Sequence, residues 1–390
     1  MRIPPHADGR VTVQPEPAVG VLSVSSEGAA PTLGVEEEFF LLWPDGRTAD
    51  VAPELLGALA PGVRVVAEFA RCQVETTTGI CGELSTLGLE LSVSRRALAQ
   101  ATADRGARLV AVGTPPFDAP GLAALTDDDR YRRLVATVAG VTGEEIACAC
   151  QIHVGMASRD LGVAVLGRLR PWLPVLLALT GNSPFWRGRD TGWSSYRFVV
   201  QRRWPTFAPP PCCADAAAYD LRVTGLVASR EALDERSVYF WARLSPRYPT
   251  VEIRIADACL TVADAVLLAG LCRAAVMTAV TDELAGLPES AVPERLLVAA
   301  AYAAARRGLA AVVVDPWLGG WAQVGAVLPR MMTAFGPALD AAGDFPLVEA
   351  LLAAYVRRGS GSDRQRALGR RGPRAAFVQA VANVGAGLDA

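Results

Sequence analysis

The sequence contains no lysine: all 38 residues that count as lysine or arginine among its 390 positions are arginine. Lysine binds phosphate in the Walker A loop, forms the Schiff base with pyridoxal phosphate and pairs with the nucleotide on a strand of protein kinases. The absence of lysine excludes these three mechanisms by residue type alone. Any chemistry on phosphate must therefore use arginine side chains, backbone amides or metal ions.

Histidine is also scarce, with His6 and His153 the only two, and none of the eight cysteines stands in a CxxC pair. The cysteine spacing excludes the common zinc-binding patterns and does not resemble a disulfide framework. Most of the cysteines are flanked by apolar residues, which is typical of small buried side chains in a reducing compartment.

The chain has little net charge, −2 at pH 7, so its bulk electrostatics favour neither a nucleic acid nor an acidic membrane as a partner. Residues 1–17 lack the apolar core of a signal peptide. The longest apolar runs, 161–181 and 260–280, are interrupted by charged residues, and we interpret them as core helices rather than membrane spans. The sequence thus predicts a cytoplasmic protein.

The organisation along the chain predicts a flexible tail over residues 1–30 and one α+β domain over 31–390. Period-two alternation predicts five strands: Gly34–Leu42, Arg71–Thr77, Leu109–Gly113, Ala149–Met156 and Thr250–Ala256. Helical spacing predicts five helices: Leu84–Arg108, Asp160–Thr180, Thr261–Leu287, Pro293–Arg307 and Phe345–Val356. The segment Gly181–Asp220, rich in proline, tryptophan and arginine, is predicted to be a long functional loop.

Four of the predicted strands carry polar residues on one face and apolar residues on the other. In GVEEEF, Glu36 and Glu38 point the same way, roughly 6.5–7 Å apart along the strand. Glu37 faces the apolar side, where its charge has no physical account unless an arginine pairs with it. The corresponding polar pairs on the other three strands are Gln73 with Glu75, Gln151 with His153, and Glu252 with Arg254. If the strands pair in one sheet, these carboxylates and the imidazole converge.

Converging carboxylates repel one another unless a cation neutralises them. Oxygen ligands with one imidazole suit Mg²⁺ or Mn²⁺, and Mg²⁺ commonly shares phosphate oxygens with its protein ligands. The alternative is that these residues form ordinary solvated strand faces neutralised by arginine, and that His153 is a hydrogen-bonded structural residue.

Seven ordered motifs resemble one known family, and the resemblance spans residues 32–370. The motifs are GVEEEF, AEFARCQVETTTG (with Glu68, Gln73 and Glu75), GTPPF, CQIHVGM, GNSPFWRGRDTGWSSYR with RRWP, TVEIRIAD and GSDRQR. In this order they look like the type 2 glutamate–cysteine ligases, or carboxylate–amine ligases. The resemblance implies a fold related to glutamine synthetase, with a curved, mostly antiparallel sheet flanked by helices. It also implies ATP-dependent amide formation through an acyl phosphate. Because an acyl phosphate must be shielded from water, the part 181–211 of the long loop is expected to act as a lid; the alternative is a structural loop that packs its tryptophans on the sheet edge.

The resemblance also implies roles for individual residues. It implies that metal ions are held by Glu36, Glu38, Glu75, His153 and Glu252. It implies that the nucleotide contacts Glu36, Glu38, Arg187, Arg189 and Arg254, and that catalysis uses Arg254, Arg197 and Gln73. Gln151 departs from the family pattern, because family members commonly have a histidine at this position. Glutamine does not titrate, and this change leaves the identity of the substrate open.

Four functions follow as alternatives. The first is ligation of the γ-carboxylate of L-glutamate to L-cysteine, and the second is the same chemistry on another amino acid or amine. The others are a non-catalytic protein and a kinase-like phosphotransferase on the same scaffold. The expected cofactors are ATP and Mg²⁺ or Mn²⁺, and the expected partners are small carboxylate and amine molecules. A homodimer is compatible with the family, although no sequence feature requires one.

Overall fold

The computed structural model describes six stretches of the chain: 30–57, 59, 63–117, 124–138, 146–370 and 372–387. The predicted tail, residues 1–30, lies outside the described residues except for its last position. The described residues form one large antiparallel sheet flanked by helices, so the predicted α+β architecture is confirmed.

The large sheet has seven strands, and every pairing between neighbours is antiparallel. Its strands are β1 (Leu33–Leu42), β2 (Val65–Ala67), β3 (Gln73–Thr77), β4 (Arg108–Val110), β5 (Cys150–Gly155), β8 (Ala242–Leu244) and β9 (Thr250–Ile253). The order across the sheet is β2-β3-β1-β5-β9-β8, and β4 pairs with the end of β1. The long strand β1 therefore lies at the centre, next to both β3 and β5.

Thirteen helices are present in the described parts of the chain. They are α1 (Ala52–Leu56), α2 (Leu84–Ala103), α3 (Asp129–Thr137), α4 (Arg159–Leu169), α5 (Leu173–Thr180), α6 (Tyr196–Gln201), α7 (Ala216–Ala228), α8 (Val262–Leu284), α9 (Glu294–Arg307), α10 (Val324–Ala341), α11 (Phe345–Arg358), α12 (Gly361–Gly369) and α13 (Arg374–Ala386). Two short hairpins complete the fold: β6 (Phe185–Trp186) with β7 (Arg189–Asp190), and β10 (Val312–Val314) with β11 (Trp321–Gln323).

One face of the sheet is apolar and is covered by helices. Val35, Phe39 and Leu41 alternate along β1 and are fully buried. Helices α2 and α8 pack against β1, and α8 also packs against α4, α10 and α11. Helices cover this face, so a site can form only on the opposite face of the sheet. That face carries Glu36 and Glu38 of β1.

The predicted helices were confirmed in position and corrected in length. The predicted helix Leu84–Arg108 ends at Ala103, because Gly106 takes a positive φ of 75° and the chain re-enters the sheet as β4. The predicted helix Asp160–Thr180 is two helices, since Pro171 cannot continue the hydrogen-bonding ladder of α4. Helix α8 begins after Thr261, whose side chain forms a capping box with Asp264.

The prediction of one long loop over Gly181–Asp220 was wrong in part. The segment contains the β6–β7 hairpin and helix α6, and α7 begins within it. These elements are short, and their proline and glycine punctuation hid them. The short strands β2, β8, β10 and β11 and the helices α1, α3, α7, α10, α12 and α13 were also not predicted from the sequence.

Helix α8 is the only single helix in the described residues that is long and apolar enough to cross a membrane. Of its most apolar window, 78% is buried inside the protein. The pair α4 and α5 passes the same test only together and is bent by 69° at Arg170–Trp172. This burial agrees with the interpretation of both runs as core helices.

Candidate active site

The polar residues of four strands lie on the same face of the sheet. In the register of β1 and β3, Glu38 lies opposite Glu75, and in that of β1 and β5, Glu36 lies opposite Gln151. In the register of β5 and β9, His153 lies opposite Glu252. Directly opposed residues on paired strands point to the same side of the sheet. The strand pairing thus brings together residues that are up to 216 positions apart (36 to 252).

These side chains line one cavity of about 880 Å³. We call its base the acidic floor, which consists of Glu36, Glu38, Glu68, Glu75, Glu252 and His153. The predicted residues Gln73, Arg197 and Arg254 line the same cavity. A cavity of this size holds a molecule of several hundred daltons, and its lining offers charged groups of both signs.

One part of the floor has the geometry of a metal site. Ligand atoms of Glu36, His153 and Glu252 all lie within 4.8 Å of one another. The Nδ1 atom of His153 is 2.9 Å from the Thr250 hydroxyl oxygen, and this contact orients the ring. The Nε2 atom is buried, lies 3.3 Å from the Glu36 carboxylate and has no hydrogen-bond partner. An orphaned imidazole nitrogen beside two carboxylates fits a divalent cation.

The Glu252 carboxylate is held by two arginines. Arg243 donates to both of its oxygens, at 2.9 and 3.2 Å, and Arg254 donates to one of them. Burial acts to raise the pKa of Glu252, but Arg243 and then Arg254 outweigh it and keep that pKa far below the usual range. Glu252 is therefore ionised.

Gln151 connects Glu38 to Arg254. Its amide nitrogen donates to Glu38 Oε1 at 2.7 Å, and its amide oxygen accepts a hydrogen bond from Arg254. The other oxygen of Glu38 accepts from the backbone N–H of Ala149 at 2.7 Å. The glutamine thus donates a hydrogen bond to a carboxylate and accepts one from a guanidinium at the same time. A neutral histidine could do both in only one of its two tautomers.

Glu68 and Glu75 are less well compensated. Burial, and then repulsion from Glu38, raises the pKa of Glu68 to about 7. Burial, and then repulsion from Glu36, Glu68 and Glu38, raises the pKa of Glu75 well above its usual range. This end of the floor carries excess negative potential, which a cation would relieve.

Glu37, which alternation placed on the apolar face, has the arginine partner that this position requires. Arg95 of α2 is fully buried and donates to both carboxylate oxygens of Glu37, at 3.0 and 2.5 Å. Its remaining N–H groups donate to backbone carbonyls of Leu260, Gly385 and Cys259. This ion pair belongs to the core and not to the cavity.

Arg197 enters the cavity from the segment that the sequence predicted to be a loop. Its guanidinium donates to the backbone carbonyls of Ile255, at 3.1 Å, and Arg254, at 3.3 Å. It also lowers the pKa of Glu38, against the larger opposing effect of burial. Arg197 therefore occupies the same electrostatic environment as the acidic floor.

A buried network fixes this segment. The Asp257 carboxylate accepts hydrogen bonds from the Asn182 backbone N–H at 2.8 Å, the Ser183 hydroxyl at 2.6 Å and the Ser195 hydroxyl at 2.7 Å. We call these four residues the Asp257 network. A side chain at Gly113 would place its Cβ 2.8 Å from the carboxyl carbon of Asp257, so only glycine fits there.

The network also explains the motif GSDRQR. Gln365 of α12 donates to the backbone and side-chain oxygens of Asn182, at 2.8 and 2.7 Å. Motifs distant in sequence thus meet behind the cavity wall and hold the backbone that carries Arg197.

The chain as a whole matches the model of one protein family. The family is described as glutamate–cysteine ligase family 2, and the match covers residues 32–381. The chain belongs to this family. A similar protein from Saccharopolyspora erythraea, provisionally named glutamate–cysteine ligase 2-1, is 40% identical over 87% of this chain and 90% of its own. A relative from Mycolicibacterium vanbaalenii, provisionally named glutamate–cysteine ligase 2-2, is 42% identical over 87% of this chain and 94% of its own.

Solved structures of ligases share the fold of this family 2 chain. A glutamate–cysteine ligase from Francisella tularensis, in complex with AMP, superposes with a TM-score of 0.70 at 13% identity, covering 92% of this chain and 89% of its own. A bifunctional glutathione synthetase from Pasteurella multocida gives a TM-score of 0.63 at 13% identity, covering 92% and 52%. Together with family membership, these similarities establish an ATP-dependent carbon–nitrogen ligase that joins a carboxylate to an amine.

Two residues assigned by the resemblance lie elsewhere in this family 2 ligase. Arg187 and Arg189 are exposed on the β6–β7 hairpin and are not among the residues that line the cavity. The hairpin turn brings Gly188 N–H to the carbonyl of Pro116 at 2.9 Å, and Asp190 pairs with Arg366. The turn directs both arginines to the surface, so the structure does not support their assignment to the nucleotide.

The segment 181–211 forms a wall of the cavity rather than a free lid. Four of its residues line the cavity: Arg197, Gln201, Trp204 and Phe207. Its first part is buried and bonded into the Asp257 network. Because these contacts are internal to the core, the structure does not support closure of the whole segment.

Sequence reasoning missed several residues of the site. Glu68 was noted only as part of a motif, and Arg243 was not noted at all. Arg243 lies on the three-residue strand β8, which is too short to show alternation. The cavity is further lined by Tyr131, Tyr239 and Tyr248, and by Arg130, Arg236 and Arg247, which come from separate turns and helices.

Proposed function

We propose that this ligase joins the γ-carboxylate of L-glutamate to the amino group of L-cysteine, with ATP as the energy source. The observation that carries the proposal is the acidic floor: buried or half-buried carboxylates and His153 converge at the base of one cavity. The provisional names of relatives that are 40–42% identical to the chain support the choice of substrates.

The reaction would proceed in two displacements. An oxygen of the glutamate γ-carboxylate attacks the terminal phosphorus of ATP, and ADP leaves, which gives γ-glutamyl phosphate. The cysteine nitrogen then attacks the acyl carbon and loses a proton, and phosphate departs with the former carboxylate oxygen. Both steps spread negative charge over phosphate oxygens, so positioning and charge neutralisation supply most of the catalysis.

The acidic floor would hold magnesium through Glu36, His153 and Glu252, with Glu38 and Glu75 alongside. Bound Mg²⁺ would neutralise phosphate charge and orient the terminal phosphoryl group. Two observations on the chain itself support the fit: the unpartnered Nε2 of His153, and the raised pKa of Glu75, which burial and then neighbouring carboxylates cause.

Arg254 and Arg197 would provide the positive charge that lysine provides in other nucleotide sites. Arg254 is fixed by Glu252 and Gln151, and Arg197 by backbone carbonyls. Guanidinium groups held in this way need no reorganisation when charge develops on phosphate. Gln73, whose amide oxygen is buried without a hydrogen-bond partner, would orient a substrate group or a water molecule.

A second candidate uses the same chemistry with another amino acid or amine as acceptor. Gln151 favours this candidate, because it replaces a residue that is commonly histidine in the family and directly contacts Glu38 and Arg254. Because Gln151 lies at the centre of the site, a broad panel of amino acids and amines should be tested as acceptors.

The test is the release of ADP and phosphate with Mg²⁺, ATP and glutamate, alone and with cysteine or each of a panel of amino acids and amines. Mass spectrometry of the product identifies the amide. Cysteine-dependent turnover that yields γ-glutamylcysteine supports the first candidate, and preference for another acceptor supports the second. A stable phosphorylated product without an amide, or no amide with any acceptor, would refute the ligase proposal.

A further inference from the structure

The sign of the charge reverses between the base of the cavity and its exposed edge. The floor is acidic, whereas the edge carries Arg236 and Arg247, both exposed and both lining the cavity. Arg236 lies in the 3₁₀ turn Glu235–Ser237, and Arg247 lies in the turn between β8 and β9. We call these two residues the rim arginines.

The turn that carries Arg236 is tied to the acidic floor. While Arg243 holds Glu252, its third nitrogen donates to the backbone carbonyls of Arg236, at 3.0 Å, and Val238, at 2.9 Å. Arg243 therefore clamps the backbone of Arg236 to a floor carboxylate. Movement of the rim relative to the floor would break buried, charge-assisted hydrogen bonds.

The turn that carries Arg247 is tied to the same floor. The hydroxyl of Ser245 accepts from the backbone N–H groups of Arg247 and Tyr248, at 3.3 Å each. The Tyr248 ring packs edge-on against His153, with the ring centroids 5.8 Å apart. The backbone of both rim arginines is thus held in place relative to the floor.

Neither rim arginine has an acidic partner among the described residues. Their neighbour Arg130 does, because its guanidinium donates to both oxygens of Asp234 at 2.9 Å. Burial, and then repulsion by Arg247 and Arg130, lowers the pKa of Arg236 against the smaller opposing effect of Asp234. Three guanidinium groups that share a single carboxylate leave excess positive charge, which is typical of a site for an anion.

We propose that Arg236 and Arg247 bind the non-reacting carboxylate of an amino-acid substrate. This inference rests on the proposed function. Under that function, the phosphates and the reacting groups would occupy the floor, where the metal ligands lie. An α-amino acid also carries a carboxylate that takes no part in the reaction, and arginine binds carboxylates in a bidentate manner. The rim arginines therefore select amino acids over simple amines and simple acids.

Two substrates could supply this carboxylate, and paired analogues distinguish them. Cysteamine is cysteine without its carboxylate, and 4-aminobutanoate is glutamate without its α-carboxylate. We would measure kcat/KM for each full substrate and its analogue with the wild type, Arg236→Gln, Arg247→Gln and the double variant. Arg295→Gln, at an exposed position on α9 outside the cavity, is the matched control.

For the bound substrate, loss of the carboxylate should lower the wild-type kcat/KM by about 10- to 100-fold, as expected for a charge-assisted hydrogen bond. The rim variants should show the same loss with the full substrate and no further loss with the analogue. The analogue pair that shows this non-additivity identifies the source of the carboxylate. Thermal unfolding confirms that the variants are folded.

Two results would overturn the inference: rim variants that discriminate against both analogues as the wild type does, or variants that change only the KM for ATP. The second result would assign the rim to phosphate. If the enzyme makes no amide at all, the proposed function fails, and equilibrium binding of glutamate and cysteine to wild type and variants still tests the rim. Unchanged affinity for both amino acids would then refute it.

Discussion

The Asp257 carboxylate lies 3.9 Å from the Arg197 guanidinium. It also accepts hydrogen bonds from the hydroxyl groups of Ser183 and Ser195. Ser183, one of these serines, accepts the backbone N–H of Arg197 at 2.9 Å. Asp257 is itself completely buried and does not line the cavity. It therefore acts on the cavity through Arg197, as a positioning residue.

A double-mutant cycle tests this relationship. We expect Asp257→Asn and Arg197→Gln each to lower kcat/KM by about 10- to 100-fold, and the double variant to be little worse than Arg197→Gln alone. The control is Asp315→Asn, another buried aspartate that binds backbone N–H groups, at the β10–β11 turn outside the cavity. Additive losses in the double variant would mean that Asp257 serves stability only.

Glutamine substitutions test the floor carboxylates without leaving a large void. We expect Glu252→Gln and Glu38→Gln each to reduce Mg²⁺-dependent ADP release by at least about 100-fold, because each removes a charge opposite the phosphates. Glutamine keeps the size of the side chain beside Arg243 and Gln151. The exposed Glu349→Gln on α11 should retain full activity. Normal turnover in both floor variants would remove these residues from the mechanism.

His153 should contribute to metal affinity both directly and through its orientation. We expect His153→Ala to weaken Mg²⁺ or Mn²⁺ binding by roughly 10- to 100-fold, and Thr250→Val to give a smaller loss in the same direction. The valine removes the hydroxyl oxygen that lies 2.9 Å from Nδ1 and keeps the shape of the side chain. Isothermal titration with the metal measures both effects, and an identical titration curve for His153→Ala would make this histidine purely structural.

The raised carboxyl pKa values predict how metal binding depends on pH. Burial and then Glu38 raise the pKa of Glu68 to about 7, and burial and then Glu36 raise that of Glu75. Between pH 4.5 and 7 the folded protein therefore holds protons that the unfolded chain has lost. Since the folded state binds more protons, the metal-free protein should lose stability as pH rises through this window.

Magnesium should reverse this trend, because it replaces the protons. We expect thermal unfolding to show greater stabilisation by Mg²⁺ at pH 8 than at pH 5, with protons released on binding. The release is measured by titration in buffers of different ionisation enthalpy. Stabilisation that is equal at both pH values would argue against a metal on this part of the floor.

The Glu37–Arg95 pair predicts a large effect on stability. Glu37→Gln leaves the Arg95 charge buried without its carboxylate, which should cost about 3–5 kcal/mol in the free energy of unfolding. Urea denaturation measures this cost, and Glu349→Gln should stay within about 0.5 kcal/mol of the wild type. A loss below about 1 kcal/mol for Glu37→Gln would show that the ion pair is not maintained in solution.

Much of the floor could be predicted from the sequence because strand periodicity is local. Alternation in GVEEEF assigns Glu36 and Glu38 to one face and Glu37 to the other, and the structure agrees. The pairing of His153 with Glu252 joins residues far apart in the sequence. It could still be expected, because two strands that both turn a polar face away from the core can pair in one sheet only with those faces on the same side. Arg187 and Arg189 were assigned by motif position alone, and a two-residue turn directed them to the surface.

The sequence by itself determined the strand faces, the main helices, the absence of lysine from any phosphate chemistry, and the family. These depend on residue type, on short-range periodicity and on motif order, which the chain carries in any conformation. Only the tertiary structure decided that Arg243 clamps Glu252, that Asp257 holds Arg197, and that Arg236 and Arg247 line the same cavity as the acidic floor. Such contacts arise when distant turns are packed together, and no local pattern encodes which turns will meet.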